Sequence, residues 1–143
     1  MQTKPDSDNT ALTSVFTHMA QYELFDNLFI GMGSKNMHRI LKTISPDVRW
    51  FFINKDGEPH HAVIGKESFK KYMEEVLSNT ANYTGKIGVV GWDPILEQGY
   101  VRNTYEHKPI EGKSKRVYEM ILFRLKDGLI SEYIPIEFVL KEW

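Results

Sequence analysis

Residues 116–140 read RVYEMILFRLKDGLISEYIPIEFVL. Apolar and polar side chains alternate on both sides of Asp127-Gly128, and an Asp-Gly pair between alternating runs is a strong signal for a two-residue hairpin. Such a turn pairs Lys126 with Leu129. Counting outward, it sets Phe123 opposite Glu132, Ile121 opposite Ile134, Glu119 opposite Ile136 and Val117 opposite Phe138. Side chains on a strand point to alternate faces. One face therefore carries Val117, Glu119, Ile121, Phe123, Ile130, Glu132, Ile134, Ile136 and Phe138. The other carries Tyr118, Met120, Leu122, Arg124, Ser131, Tyr133, Pro135 and Glu137. The first set is aliphatic with two carboxylates and is expected to lie under helices. The second is aromatic and amphipathic, a composition that suits a protein interface or cross-strand surface pairs.

The preceding segments extend the same pattern. Ile87–Trp92 and Ile95–His107 read as strands separated by a turn at Asp93-Pro94, and residues 108–114 read as a loop before the strand Arg116–Lys126. Upstream, Gly65 opens a helix with Phe69, Tyr72, Met73, Val76 and Leu77 on one side and Lys70, Lys71, Glu74 and Glu75 on the other. Val48–Ile53 and His60–Ile64 are short strands around an Asn54–Gly57 turn. A first helix is expected from Thr10, with Leu12, Val15, Phe16, Met19, Tyr22 (or Glu23), Phe25, Leu28 and Phe29 in its apolar stripe. Ser34 is expected to cap a second helix holding Met37, Ile40, Leu41 and Ile44, ended by Pro46. Helices first and antiparallel strands after imply an α+β fold with the helices on one face of a curved sheet.

The chain has 143 residues, enough to bury roughly 68–70% of its unfolded surface without a metal or disulfide staple. The polar residues 1–9 are expected to form a flexible arm and residues 10–143 a single domain. Lysine and arginine number 18 against 19 aspartates and glutamates, a net charge of −1. That balance argues against nucleic acid as a partner and against attraction to an anionic membrane. There is no cysteine, so thiol catalysis and cysteine-based metal sites are excluded. The N-terminus lacks the apolar core of a signal peptide, and a cytoplasmic location is expected. Asn82-Tyr83-Thr84 matches a glycosylation sequon that has no secretory context here. Gly31-Met32-Gly33 lacks the preceding strand of a dinucleotide-binding fingerprint.

Several phrases, in order and spacing, resemble one family. Ser45-Pro46-Asp47-Val48-Arg49-Trp50 is similar to its entry into the first strand, and Gly65-Lys66-Glu67 with the Phe69/Tyr72 helix to its third helix. Gln98-Gly99-Tyr100-Val101 resembles its Gly-Asp-x-Val strand start, with Tyr100 in place of the aspartate. Lys126–Tyr133 resembles its final hairpin. The chain thus resembles the SnoaL-like polyketide cyclases of the nuclear-transport-factor-two-like superfamily from about Leu24 to Glu137. The resemblance implies a curved mixed or antiparallel sheet wrapped around N-terminal helices to form a cone-shaped pocket. It also implies a homodimer through the outer sheet face, here Tyr118, Met120 and Tyr133. The superfamily holds isomerases, epoxide hydrolases, dehydratases, cyclases and non-catalytic binders, so the fold does not fix the reaction.

In that frame Glu119 is the first catalytic candidate. A carboxyl among aliphatic neighbours either finds a partner or has its pKa raised, which makes it an acid/base candidate. With Val101 inward, Gly99, Asn103, Tyr105 and His107 are inward too. Asn103 and Tyr105 are then placed either to polarise a substrate oxygen or merely to satisfy Glu119 or line a wet cavity. The opposite register presents Arg102, Thr104 and Glu106 instead. His61 shares parity with Val63 and is preferred over His60 as a histidine acid/base. Tyr22, Trp50, Phe52, Phe69, Tyr72, Val101, Ile121 and Ile134 are the expected substrate-binding or wall residues. No metal-binding spacing of histidines is present, and no cofactor is expected. The Trp50–Ile53 strand lacks the aspartate base of the steroid-isomerase branch. Arg102 lacks the partner aspartate of the epoxide-hydrolase arrangement. Near the end of the last strand, where many SnoaL-like chains carry an aspartate, Phe138 occupies the matching position. Glu137 beside it has the wrong parity unless a bulge intervenes, and Pro135 is a residue that favours bulges.

The expected function is cofactor-free acid/base isomerisation, cyclisation or hydration-type chemistry on a hydrophobic, oxygenated, polyketide- or terpenoid-like substrate. The alternatives are a non-catalytic ligand-binding or dimerisation module and an accessory protein that docks partners on its sheet.

Overall fold

A computed structural model describes residues 19–53 and 59–143. The expected helix start at Thr10, the arm at 1–9 and the Asn54–Gly57 turn lie outside the described residues. Helix α1 covers residues 19–33, followed by α2 (Met37–Leu41), β1 (Ile44–Ile53), β2 (Pro59–Ile64), α3 (Lys66–Ser78), β3 (Thr80–Asp93), β4 (Gln98–Pro109), β5 (Lys115–Lys126) and β6 (Leu129–Glu142). The strands form one six-stranded sheet in the order β2-β1-β6-β5-β4-β3. The sheet is mixed: β1 and β6 run parallel and every other neighbouring pair is antiparallel. This is the expected α+β class; β1, β3 and β6 run longer than expected, and β4 begins at Gln98 rather than Ile95, after a turn over residues 94–97.

The helices cover one face. On α1 the buried stripe is Gln21, Phe25, Leu28 and Phe29, a helical spacing that keeps the expected Phe25, Leu28 and Phe29 and has Gln21 in place of Tyr22. Met19 and Tyr22 are exposed, at 52% and 44%. Phe25 meets Phe123 of β5 edge-on, with ring centroids 4.7 Å apart, and so seats α1 on the sheet. Asn36, not Ser34, caps α2, its side chain accepting from the Arg39 amide at 3.1 Å. Ile44 belongs to β1 rather than α2. Gly65 opens α3 at φ +88°, a conformation that favours glycine. The buried face of α3 is Phe69, Met73 and Leu77, with Lys70, Lys71, Glu74 and Glu75 outward.

The hairpin starts in the expected register and then leaves it. Asp127 and Gly128 both take positive φ, 52° and 77°, as a type I′ turn requires. Lys126 opposes Leu129 and Leu125 opposes Ile130. Arg124 then opposes Glu132, leaving Ser131 as an extra residue on β6. Such a bulge transfers every later side chain of its strand to the other face. Phe123 therefore faces Tyr133, Ile121 faces Pro135 and Glu119 faces Glu137.

Three expectations are corrected by this shift. Tyr133 is buried at 5% exposure and is no part of an outer dimer contact. Ile134 and its even-numbered neighbours Ile136 and Phe138 lie on the outer face, so Ile134 does not line the inner pocket. Glu132 also turns outward, 4.0 Å from both Arg49 and Arg124. The physical cause is that both faces of β6 are apolar enough to be buried, so hydrophobic pattern alone does not pin the register. The β1 neighbour settles it. Trp50 stacks on Tyr133 with centroids 3.5 Å apart and planes 5° from parallel. The β5 parity stands as expected, with Val117, Glu119, Ile121 and Phe123 buried and Tyr118 and Met120 half-buried on the other face.

The bulged register predicts an asymmetry between neighbours. Tyr133→Ala should cost about 3–5 kcal/mol, as deletion of a buried aromatic does. Ile134→Ala should cost about 1 kcal/mol. Urea unfolding of the two variants checks this; equal costs, or a larger one for Ile134, would contradict the register.

Candidate active site

A cavity of about 240 Å³ lies between α3 and the inner face of the sheet. Its walls are largely aromatic. Trp50 and Phe52 come from β1 and Tyr72 with Val76 from α3, while Tyr83, Tyr105 and Tyr133 come from β3, β4 and β6. The rings brace one another: Phe52 packs edge-on against Tyr72 at 4.7 Å, and Tyr83 stacks on Tyr105 at 5.4 Å. Gly85 makes room for the second pair. A Cβ there would lie 3.3 Å from the Tyr83 hydroxyl and 3.4 Å from Phe29.

The polar groups converge on the β4–β5–β6 wall. Glu119 lines the cavity while only 3% exposed. Asn103, directly opposite on β4, donates from Nδ2 to Glu119 Oε1 at 3.1 Å. Glu137, directly opposite on β6, hydrogen-bonds to the Glu119 carboxyl. Glu137 stands at the more open side, its side chain 36% exposed. Tyr105 donates its hydroxyl to Glu137 Oε1 at 3.0 Å, and Lys115 Nζ stands 3.9 Å from Glu137 Oε2. The site is therefore a deep carboxyl coupled to a shallower one.

Burial makes ionisation of Glu119 costly, and the charge of Glu137 makes it costlier. Together they push Glu119 up to about 8, against the opposing pull of the Asn103 amide. Burial and then Glu137 push Tyr72 up to about 12. Burial first, then the two carboxyls, also raises Tyr83, Tyr105 and Tyr133. His107 is shifted down, by burial first and by Lys115 second, with Glu137 pulling the other way. At neutral pH the cavity thus holds a protonated carboxylic acid, neutral phenols and a neutral imidazole. Among the described residues no three His, Asp or Glu side chains group to hold a metal ion.

Of the expected site residues, the fold brings Glu119, Tyr105, Trp50, Phe52 and Tyr72 into one cavity. Asn103 stands behind Glu119, 2% exposed, and its amide nitrogen is already used. Phe69 packs beneath Trp50 at 4.8 Å, and Val101 and Ile121 are core. Tyr22 is excluded because α1 turns Gln21 inward instead. His61 lies on β2 opposite Phe52; its side chain, like that of His60, lies outside the described residues. Sequence reasoning assigned no role to Glu137, Tyr83, Lys115, Thr80 or His107. Glu137 needed the bulge, which only Pro135 hinted at. His107 was legible by its shared parity with Asn103 and Tyr105.

The raised pKa of Glu119 has a consequence for stability. The folded chain holds this proton up to about pH 8, whereas the unfolded chain releases it near the ordinary value of 4.5. Between those limits the native state binds more protons, so stability falls as pH rises. The loss is at most about 1.4 kcal/mol per pH unit. Glu119→Gln should remove this slope, making the variant the more stable protein at pH 8. Chemical denaturation from pH 5 to 8 checks it; parallel curves for the two proteins would be the contrary result.

No family model and no curated protein sequence matches this chain. Solved structures do share its architecture. An NTF2-like protein of unknown function from Burkholderia pseudomallei superposes with a TM-score of 0.66 at 14% identity, over 81% of this chain and 88% of that one. An LEH-like epoxide hydrolase from Mycobacterium tuberculosis gives 0.68 at 10%, over 85% of each chain. The epoxide hydrolase/cyclase-like enzyme SalBIII, described in pyran ring formation in polyether salinomycin, gives 0.67 at 12%, over 82% and 89%. Identities this low carry the fold alone, and on that ground the chain has the cone fold of the nuclear-transport-factor-two-like superfamily.

Proposed function

We propose that this chain is a cofactor-free acid/base enzyme for a small, hydrophobic, oxygenated molecule of polyketide or terpenoid type. The reaction class is isomerisation, cyclisation or hydration-type chemistry. The observation that carries the proposal is Glu119, a carboxyl deep in an aromatic cavity that keeps its proton at neutral pH. A neutral carboxylic acid held in a low-dielectric site can protonate or hydrogen-bond a carbonyl, hydroxyl or epoxide oxygen as charge builds there. Asn103 holds the acid in place. Tyr105, released from Glu137, is the candidate second donor to the same oxygen. The aromatic walls take the apolar body of the substrate. The solved neighbours named as an epoxide hydrolase and a cyclase-like enzyme support chemistry on oxygenated small molecules. His61 on β2 remains a proposed additional acid/base residue.

The outer sheet face is proposed to pair with a second copy through Tyr118, Met120 and the outward-facing Ile134 and Ile136. Sedimentation is expected to give twice the chain mass of 16.7 kDa; a monomer at all concentrations would refute the contact.

The enzyme proposal is tested by turnover of a panel of polyketide-like ketones, hydroxy-ketones and epoxides. Glu119→Gln should lower kcat by about 10²–10⁴-fold while leaving substrate binding within about threefold. The wild-type rate should fall as pH passes about 8, where Glu119 loses its proton. Full activity in Glu119→Gln would remove Glu119 from the chemistry, and tight binding without turnover across the panel would favour a binder.

A further inference from the structure

The acid at Glu119 leaves the imidazole of the cavity without a role. His107, near the end of β4, lines the cavity and opposes Tyr83 on β3 and Lys115 on β5. Its Nε2 lies 3.0 Å from Thr80 Oγ1, on the first residue of β3. Thr80 is itself buried, at 2% exposure. A threonine hydroxyl has one hydrogen to donate, and here the Val76 carbonyl in the last turn of α3 takes it at 2.7 Å. The Thr80 oxygen is left to accept from the ring, so Nε2 carries the imidazole hydrogen. In the neutral ring Nδ1 is then the free lone pair.

The groups around the ring keep it in that state. Lys115 from β5 opposes its protonation, and Glu137 from β6 favours it less strongly. Tyr83 from β3, Tyr105 from β4 and Tyr72 from α3 are phenols with raised pKa and carry no charge at neutral pH. Glu119 is protonated.

We propose that His107 is a second proton-transfer residue of this cavity, held by Thr80 with Nδ1 as the acceptor, so that one bound substrate meets a base and an acid together. The proposal rests on the acid/base function above and narrows its substrate to a ketone with an acidic α C–H. The proton leaving the α carbon goes to His107 Nδ1. The C–H electron pair forms the C=C bond of an enol, and the carbonyl oxygen takes the proton of Glu119. The imidazolium then returns its proton to the Glu119 carboxylate through solvent. The enzyme is restored, and no further reactant is consumed. Thr80 is a positioning residue, acting through the ring it orients.

Two measurements test this. In protein with ¹⁵N-labelled histidine, the neutral His107 ring should show a protonated Nε2 and an unprotonated Nδ1. Thr80→Ser should keep that tautomer and Thr80→Val should lose it. A protonated Nδ1 in the wild type, or an unchanged tautomer in Thr80→Val, overturns the positioning. In D₂O, exchange at the α carbon of 1-tetralone should be faster than in buffer. It should have an acid limb below the ordinary histidine value of 6.5, where the ring takes up a proton. His107→Gln should abolish that limb and slow exchange about 10²-fold, and Thr80→Val should slow it while Thr80→Ser does not. If Glu119→Gln is impaired but His107→Gln exchanges normally, this proposal fails and the Glu119 reading stands. If neither substitution has an effect, both fail, and wild-type exchange no faster than buffer overturns the ketone assignment.

Discussion

One extra residue in β6 determines what the cavity contains. Without Ser131 standing outside the ladder, Glu119 would face Ile136, and the inner wall of β6 would be aliphatic. With it, Tyr133 turns in to stack on Trp50 and Glu137 turns in to meet Glu119. A bulge costs a ladder hydrogen bond and bends the strand. The stack between two buried rings offsets that cost, because aromatic pairs contribute about 0.5–1.5 kcal/mol beyond their buried area. Packing and chemistry are thus coupled: the contact that fixes the register of β6 also creates the carboxyl pair.

That pair is asymmetric, and the asymmetry gives it direction. An isolated ionised carboxylate as deep as Glu119 would cost far more than the several kcal/mol of an unpaired neutral polar group. One hydrogen bond from Asn103 does not meet that cost, so the proton stays. Glu137 is shallower, has Lys115 at 3.9 Å and accepts from Tyr105. In the proposed reaction the proton that Glu119 gives up goes to the substrate oxygen, and Glu137 is the carboxyl of the pair that stands nearer solvent. Asn103 Nδ2 is committed to Glu119, while its buried Oδ1 has no partner among the described residues.

The parts of this site that were legible in the sequence are those set by local chemistry. Asp127-Gly128 demanded its turn, and β4 and β5 pair through Asn103 and Glu119 without irregularity. Strict alternation therefore placed Asn103, Tyr105 and Glu119 inward correctly. What failed was alternation across an irregular strand. Residues 133–138 present Tyr133 and Pro135 on one side and Ile134, Ile136 and Phe138 on the other, so neither side is marked as the core. The contact that decides between them is with Trp50, more than eighty residues away in the chain, and local pattern holds no record of it. Tyr22 failed for a smaller reason: the α1 stripe includes Gln21, a polar residue that periodicity of apolar residues passes over.

The distribution of polarity around the cavity constrains how a substrate can lie in it. β1 supplies Trp50 and Phe52 and no carboxylate, and α3 supplies Tyr72 and Val76. Among the described side chains, the carboxyls and the imidazole that line the cavity sit on the opposite wall, while the helix wall carries the Tyr72 phenol. Glu119 and Glu137 stand on β5 and β6, and Tyr105 and His107 on β4. In the proposed reaction a hydrophobic substrate sets its apolar body against the rings of β1 and α3, where Tyr72 supplies a phenol but no carboxyl or imidazole stands among the described side chains. In that pose the oxygen and the acidic carbon of the proposed substrate both face β4–β6. The proposed chemistry is a property of those three strands, and α3 anchors, through the Val76 carbonyl and Thr80, the end of that wall where His107 stands.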